Sequence, residues 1–515
     1  MYALSDISRK GAIRFPNREA IVFEKTRLTY KTLNERVNQF ANALTERGYQ
    51  KGDRFAVLSE NTHKYLEIYF AASKLGMSVT PLNSRLSVAE TEYIVNDSEA
   101  VCFLAGDGFE NLALAMKDNL SDIRDWVTLD NEKEGFLYYE NLIRDASRNE
   151  LAIPIDEDDM AVLMYTGGTT GLPKGVMMSH RNLMTSFINS AITMKFTPDD
   201  STAFVLPLFH VSFWSAMAML LVGGKVVIIR KPDLSEILIS ISKEKCTHIN
   251  AVPTIYGWLL QMPDIEKYDL SSLRSIGYAG SPMPREMLKK CILKFGNIFE
   301  QAYGSTEALG VTHLQADDHE LEGKRSKLLL SAGKEMLCGD VCVVDENDAS
   351  LKPGEIGEVV VCGKHVMMGY WKNPELTAKT IRNGWHHMGD MGYLDEDGYL
   401  FLVDRKADMI VTGGENVYPK ETEDVLYEHP AVMECAVVSA PDKKWGERVQ
   451  AVVVLKSGMS VSEEALIAHC KESLAGYKCP KKIELWEELP KTAVGKILRK
   501  DVRATFWKGK DRSIG

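Results

Sequence analysis

AVLMYTGGTTGLPKGVMMSH (residues 161–180) places an apolar run, 161–164, before a segment rich in Gly and Thr, and a second apolar run, 176–178, after it. Short apolar runs bounded by Gly and Pro read as strands, so YTGGTTGLPKGV (165–176) is a loop between two strands. Gly167, Gly168 and Gly171 permit unusual backbone angles and close approach of a ligand. Thr166, Thr169 and Thr170 supply hydroxyls and Lys174 a positive charge, a combination suited to a polyphosphate. It is not a Walker A loop, which needs Gly-Lys followed directly by Ser or Thr; here Lys174 follows Pro173 and precedes Gly175. Ser179 is placed to cap a helix beginning near Arg181.

On either side of this loop, helical periodicity alternates with short apolar runs. Residues 33–44, 65–75, 234–242 and 285–295 read as helices, and 55–58, 101–104, 203–206, 226–229 and 248–252 as buried strands. That alternation predicts an α/β architecture with substantial parallel sheet. After about residue 335 the chain becomes β-rich, with runs at 341–344 and 358–362 separated by turn residues. A smaller α+β unit begins near Arg405, with strands at 435–438 and 451–455 and helices from Glu423 and Glu464. The expected domains are 1–404 and 405–515, joined by a short hinge.

The length of 515 residues exceeds what one core usually serves. With 45% hydrophobic and 26% charged residues the composition is that of an ordinary globular protein. A net charge of -11 gives no electrostatic footprint for duplex nucleic acid. The nine Cys are dispersed and form no CxxC pair, which suits a reducing cytoplasm and buried thiols rather than disulfides or zinc. The N-terminus has no apolar signal region, and the longest apolar stretch, 211–222, is too short to span a bilayer.

Four further stretches carry chemistry. In QAYGSTE (301–307), Tyr303 can stack on a base, Thr306 can bind a phosphate oxygen and Glu307 can hold Mg²⁺, which prefers one or two carboxylates plus phosphate oxygens. In GWHHMGDMGYLDEDGYLFLVDRKADMI (384–410), Asp390 lies near glycines and can accept bonds from ribose hydroxyls, and Arg405 follows a strand. GGENVYP (413–419) and PKTAVGKILRK (490–500) complete the set, the latter placing Lys496 between Gly495 and an amphipathic tail.

These five stretches, in this order, resemble the adenylate-forming superfamily of acyl-CoA synthetases, peptide-synthetase adenylation domains and beetle luciferases. The resemblance covers essentially the whole chain. It implies a large multi-subdomain N-terminal domain with parallel-rich sheets, a small α+β C-terminal lid and an active site between them. It also implies two half-reactions: a carboxylate attacks the α-phosphate of Mg-ATP to give an acyl-AMP, then the lid rotates and the thiol of coenzyme A takes the acyl group. Carried over, the loop from Thr166 to Lys174 cradles pyrophosphate, and Tyr303 faces the adenine near Gln301, Gly280 and Ser281. Thr306 meets the α-phosphate, Glu307 the Mg²⁺, and Asp390 and Arg405 the ribose. Lys496 neutralises charge during adenylation. Gly413 and Gly414 line the pantetheine tunnel. The family's usual hinge Asp or Lys is Ala407 here.

Peptide-synthetase adenylation domains typically carry Phe-Asp where this chain has Phe209-His210, and without that Asp an amino acid's ammonium would be buried unpaired. A free-standing CoA ligase fits better, with transfer to a carrier protein or an oxygenase-type reaction as the alternative. The resemblance places His210 near the substrate carboxylate, and Phe213, Trp214, Tyr278 and Leu309 along the acyl wall, for a medium- or long-chain fatty acid or a cyclic or aromatic acid. The expected partners are that acid, ATP and CoA, in a cytoplasmic enzyme without transmembrane segments or nucleic-acid binding. A homodimer is compatible with the sequence.

Overall fold

The computed structural model describes residues 3–166, 173–281, 283–491 and 497–508. Two large sheets dominate it. One has eight strands, and its core of Met160–Thr166, Ser78–Leu82, Arg54–Leu58, Cys102–Ala105, Asp125–Thr128 and Leu137–Tyr138 is parallel throughout. Lys174–Ser179 adds antiparallel to Met160–Thr166, and Gly369–Tyr370 adds to its far edge. The other sheet has nine strands. Its parallel centre runs Glu19–Phe23, Lys225–Ile228, Ser201–Phe204, His248–Ala251, Ser275–Ala279 and Phe299–Ser305.

Helices cover these sheets for reasons legible locally. Tyr30–Glu46 starts at Thr29, whose side chain accepts from Thr32 N, and buries Leu33, Val37, Phe40, Ala41 and Leu44, one stripe at helical spacing. His63–Leu75 is buried at every position, so it shows no polar face, and it stops at Gly76 with φ +68°. Ser179 forms a capping box with Asn182 and starts the helix His180–Thr193. Helices Leu234–Glu244, Pro253–Gln261 and Arg285–Phe295 pack on one face of the nine-stranded sheet, where Ala203, Ile249, Ile276 and Phe299 meet Ile237, Tyr256 and Leu288. Burial of each such large aliphatic or aromatic side chain stabilises the fold by about 1.5–3 kcal/mol.

A third, antiparallel sheet follows, built from Gly339–Val344, Gly357–Gly363, Trp385–Leu394 and Leu400–Arg405, with the short strand Ile381–Arg382. Arg405 pairs with Asp390 and is the last residue of that sheet. The C-terminal unit has its own sheet of Ile410–Thr412, Glu415–Val417, Val432–Asp442, Gly446–Leu455 and Lys482–Leu485, with helices Pro419–Glu428, Glu463–Ser473 and Arg499–Trp507. Its apolar cluster, around Ile410, Leu426, Val437, Val453 and Leu466, is separate from those of the larger unit.

One ion cluster spans the junction. Arg499 Nη1 donates to Asp404 Oδ1 (2.8 Å), its Nε donates to Glu423 Oε1 (2.9 Å), and Arg503 Nη1 lies 3.1 Å from Asp408 Oδ1. Lys420 N donates to Asp404 Oδ2 at 2.8 Å. Asp404 is on the N-terminal side of Ala407, whereas Glu423 and Lys420 are on the first helix beyond it. No helix among the described residues is long and apolar enough to cross a membrane.

Candidate active site

In open sheets with parallel strands, ligands bind beyond the carboxyl ends of those strands. Here the strand Phe299–Ser305 turns through Thr306 and Glu307 into the antiparallel strand Leu309–Leu314. The turn is tight: a Cβ on Gly304 would lie 1.7 Å from the carbonyl oxygen of Leu309, so no other residue fits. Leu309 itself takes φ +54°, a left-handed backbone that costs a residue with a Cβ about 1 kcal/mol or more. Ser305 Oγ accepts from Ala308 N (3.2 Å) and closes the turn.

Two arms converge on it. The first comes from the eight-stranded sheet. Glu307 O accepts from Met367 N (2.8 Å), and Tyr370 OH donates to Glu307 Oε1 (3.0 Å). Lys174 Nζ lies 5.5 Å from the Tyr370 ring centroid, a cation on an aromatic face. Thr166 and Lys174 are register partners at the base of the glycine-rich loop. That base is clamped by Trp371, whose N donates to Gly175 O (2.8 Å) and whose indole Nε1 donates to Asp97 O (2.8 Å). The second arm comes from the third sheet. Tyr303 OH donates to Asp390 Oδ2 (2.7 Å), and Arg405 Nε lies 2.8 Å from Asp390 Oδ1. Burial pushes the Tyr303 phenol well above its ordinary value, so it stays a hydrogen-bond donor to the Asp390 carboxylate.

Gly280, with φ +87°, follows the strand Ser275–Ala279 and is next to Ser281; Gln301 is on the neighbouring strand, paired with Tyr278. His210 starts a short 3₁₀ helix, its Nδ1 accepting from Ser212 N (3.4 Å). With Nδ1 an acceptor, the neutral ring carries its proton on Nε2.

The four residues expected along the acyl wall do not converge. Phe213 is fully buried, stacked on Tyr69 (5.0 Å between centroids) and edge-on to Phe187 (5.8 Å); Leu309 and the half-buried Trp214 belong with the same core. Tyr278 packs in the cluster on the other face of the nine-stranded sheet, its hydroxyl 3.0 Å from His319 Nε2. The sheet therefore separates Tyr278 from the other three. In the C-terminal unit, Gly413 (φ +61°) and Gly414 (φ +87°) form the turn between strands Ile410–Thr412 and Glu415–Val417. A Cβ on Gly413 would lie 2.6 Å from the Trp445 ring. Gly167, Gly168, Thr169, Thr170, Gly171 and Lys496 lie outside the described residues.

Tyr370 and Arg499 are two residues that reading the sequence did not single out. Tyr370 had a signal, an aromatic pair directly after Gly369. Arg499 had only its place in a basic tail, and its role depends on contacts far apart in the chain. Among the described residues there is no group of three or more His, Cys, Asp or Glu that could hold a metal alone. A single carboxylate, Glu307, suits Mg²⁺ that is ligated mostly by phosphate oxygens and water.

Known proteins resemble the chain over nearly its whole length. The AMP-binding enzyme family matches residues 9–371, and the AMP-binding enzyme C-terminal domain matches 421–496. Feruloyl-CoA synthase from an Amycolatopsis species is 37% identical over 95% of this chain and 96% of its own length. The medium/long-chain-fatty-acid–CoA ligase FadD8 of Mycobacterium tuberculosis is 34% identical over 98% of this chain and 90% of its own. Among solved structures, the anthranilate CoA ligase AuaEII in complex with anthranoyl-AMP superposes with a TM-score of 0.90, at 28% identity, over 98% of this chain and 97% of that one. The chain belongs to the AMP-binding enzyme family, whose α/β fold and smaller C-terminal domain it has.

Proposed function

We infer that the chain is an ATP-dependent acyl-CoA ligase, AMP- and pyrophosphate-forming, that converts a carboxylic acid to its CoA thioester through an acyl-AMP. The observation that carries this reading is the turn bearing Thr306 and Glu307, held between Tyr370 and Lys174 on one side and the Tyr303–Asp390–Arg405 chain on the other. The first side suits phosphates, the second a nucleoside. The names of the relatives support transfer to CoA.

In this reading Lys174 and the hydroxyl of Thr166 hold the β- and γ-phosphates at the base of the loop, with Gly167, Gly168, Thr169, Thr170 and Gly171 offering backbone N–H groups. Asp390, oriented by Tyr303 and Arg405, accepts the ribose hydroxyls, and Gly280, Ser281 and Gln301 border the adenine. His210 Nε2–H faces the acid's carboxylate and holds it for in-line attack on the α-phosphate. Thr306 contacts an α-phosphate oxygen. Lys496 supplies a cation where charge builds around phosphorus. Mg²⁺ held by Glu307 would neutralise phosphate charge. For the second half-reaction the part of residues 405–515 beyond Ala407 turns about that residue and brings Gly413 and Gly414 to the pantetheine arm, while Arg405 stays in its sheet beside Asp390. Cytoplasmic residence and an acid with an apolar body, whether aliphatic or aromatic, belong to the same reading.

The test is pyrophosphate release from Mg-ATP across a panel of carboxylic acids, with and without CoA. Turnover that requires both an acid and CoA is expected. Release independent of CoA would overturn the ligase and leave an adenylating enzyme with another acceptor.

A further inference from the structure

The strand Trp385–Leu394 is buried at every second residue: His386, Met388, Asp390 and Gly392 face inward, and the residues between them are partly exposed. Two of the four meet the turn of the active site in step. Asp390 Oδ2 accepts from Tyr303 OH (2.7 Å), and Met388 Sδ accepts from Ser305 Oγ (4.0 Å). Two residues back along the strand correspond to two residues forward along the turn, so the next pair is His386 with Glu307. The neighbours on both sides agree. His386 pairs with Val361, which shares an apolar cluster with Ala308, the residue after Glu307. It also pairs with Ile381, next to Thr380, and Thr380 flanks the Tyr370 hydroxyl that holds Glu307.

His386 is 2% exposed, and its Nδ1 makes no hydrogen bond. A buried polar atom left unpaired is disfavoured, so an imidazole in this position calls for a partner. Burial lowers the ring to about 4, and the charge that most opposes this is the carboxylate of Glu307. The ring is therefore neutral at pH 7 and has a lone pair to offer. Glu307 has its Oε1 taken by Tyr370 (3.0 Å), and among the described residues nothing donates to Oε2. A carboxylate oxygen and an imidazole stand side by side with no hydrogen bond between them. A cation that accepts both lone pairs satisfies both groups.

We propose that Glu307 and His386 together hold the divalent cation that accompanies ATP, and that they favour Mn²⁺ or Co²⁺ over Mg²⁺. A carboxylate with phosphate oxygens and water suits Mg²⁺, whereas an imidazole ligand benefits transition-metal ions more than it benefits Mg²⁺. Two protein ligands are enough, because phosphate oxygens complete the shell, and this fits the absence among the described residues of any group of three that could hold a metal alone. The proposal rests on the ligase reading and gives His386 a place beside the nucleotide's phosphates.

The probe is Mn²⁺ with ATP on the full-length protein, without acid or CoA, read by electron spin echo modulation. The expected result is a nitrogen coupling to Mn²⁺ that changes when the histidines carry ¹⁵N, which separates imidazole from adenine. The coupling is expected to persist in His210→Ala and to vanish in His386→Leu and in the milder His386→Gln. The preference of the ATP-bound protein for Mn²⁺ over Mg²⁺ is expected to fall about tenfold or more in those two variants. The wild-type spectrum needs no variant, so a substitution that fails to fold leaves the test standing. Bound Mn²⁺-ATP with no histidine coupling, the result if a buried water pairs with His386 instead, would overturn the proposal while the ligase stands. So would a coupling that survives in a folded His386→Gln. No binding of Mn²⁺-ATP at all removes the ligase reading and the proposal together.

Discussion

Replacing Arg499 with Met tests the junction directly. The Arg499 side chain is 21% exposed and serves two carboxylates at once: Asp404, 2% exposed, before Ala407, and Glu423, 11% exposed, beyond it. Burial pushes the Glu423 carboxyl up, and Arg499 is the main group opposing that. Met keeps most of the apolar stem and removes the charge. What remains is a pair of buried carboxylates with no guanidinium between them, and breaking a buried pair by removing one partner costs about 3–5 kcal/mol. Urea unfolding followed by tryptophan fluorescence, to which Trp445, Trp486 and Trp507 of the C-terminal unit contribute, reads the loss at pH 7. The loss is expected to shrink as pH falls, because Glu423, its pKa raised further without Arg499, takes up a proton and ceases to repel Asp404. The double variant Arg499→Met, Glu423→Gln should recover part of the stability. A loss below about 1 kcal/mol, or a double variant no more stable than the single, would refute the claim that this guanidinium holds the junction.

Gly304→Ala should abolish ATP binding by calorimetry even if the protein stays soluble, since the added carbon meets a backbone oxygen and not a movable side chain. Asp390→Ala should weaken ATP binding and leave the fold intact by circular dichroism; an unchanged affinity would count against its ribose role. Lys496→Ala is expected to stop acyl-AMP formation and spare thioester formation from supplied acyl-AMP, with equal loss of both steps the contrary result. Burial lowers His180, His248, His313 and His319 to about 4, from an ordinary 6.5. Their folded-state pKa values are depressed, so the unfolded chain binds more protons between pH 6.5 and 4; stability should be full above that window and fall steeply as pH drops through it, at up to about 1.4 kcal/mol per pH unit for each histidine.

Much of the fold could be read ahead because its strands are short, apolar and buried. The helix 285–295 coincides with the expected one, and the strands expected at 55–58 and 248–252 differ by one residue at one end. The helix expected at 65–75 is His63–Leu75, two residues longer at its start and buried on every side. The glycine-rich stretch stood out because Gly, Thr and Lys stand close together in the chain, and of it the structure describes Thr166 and Lys174 as register partners at its base. Tyr278 illustrates the limit. The family resemblance put it on an acyl wall, but strand alternation places it with the helices on the sheet's far side, and that parity cannot be assigned until the register is known. For the same reason nothing in the sequence says that His248, Glu300 and His313, on three different strands, share one face of the sheet.

The turn bearing Glu307 is fastened by Tyr370 from the edge of one sheet and approached by Asp390 from another. Three sheets must therefore be complete and docked before the site exists. A nascent or partly refolded chain with one finished sheet has no way to spend ATP, and the appearance of nucleotide binding during refolding marks the moment at which the sheets come together.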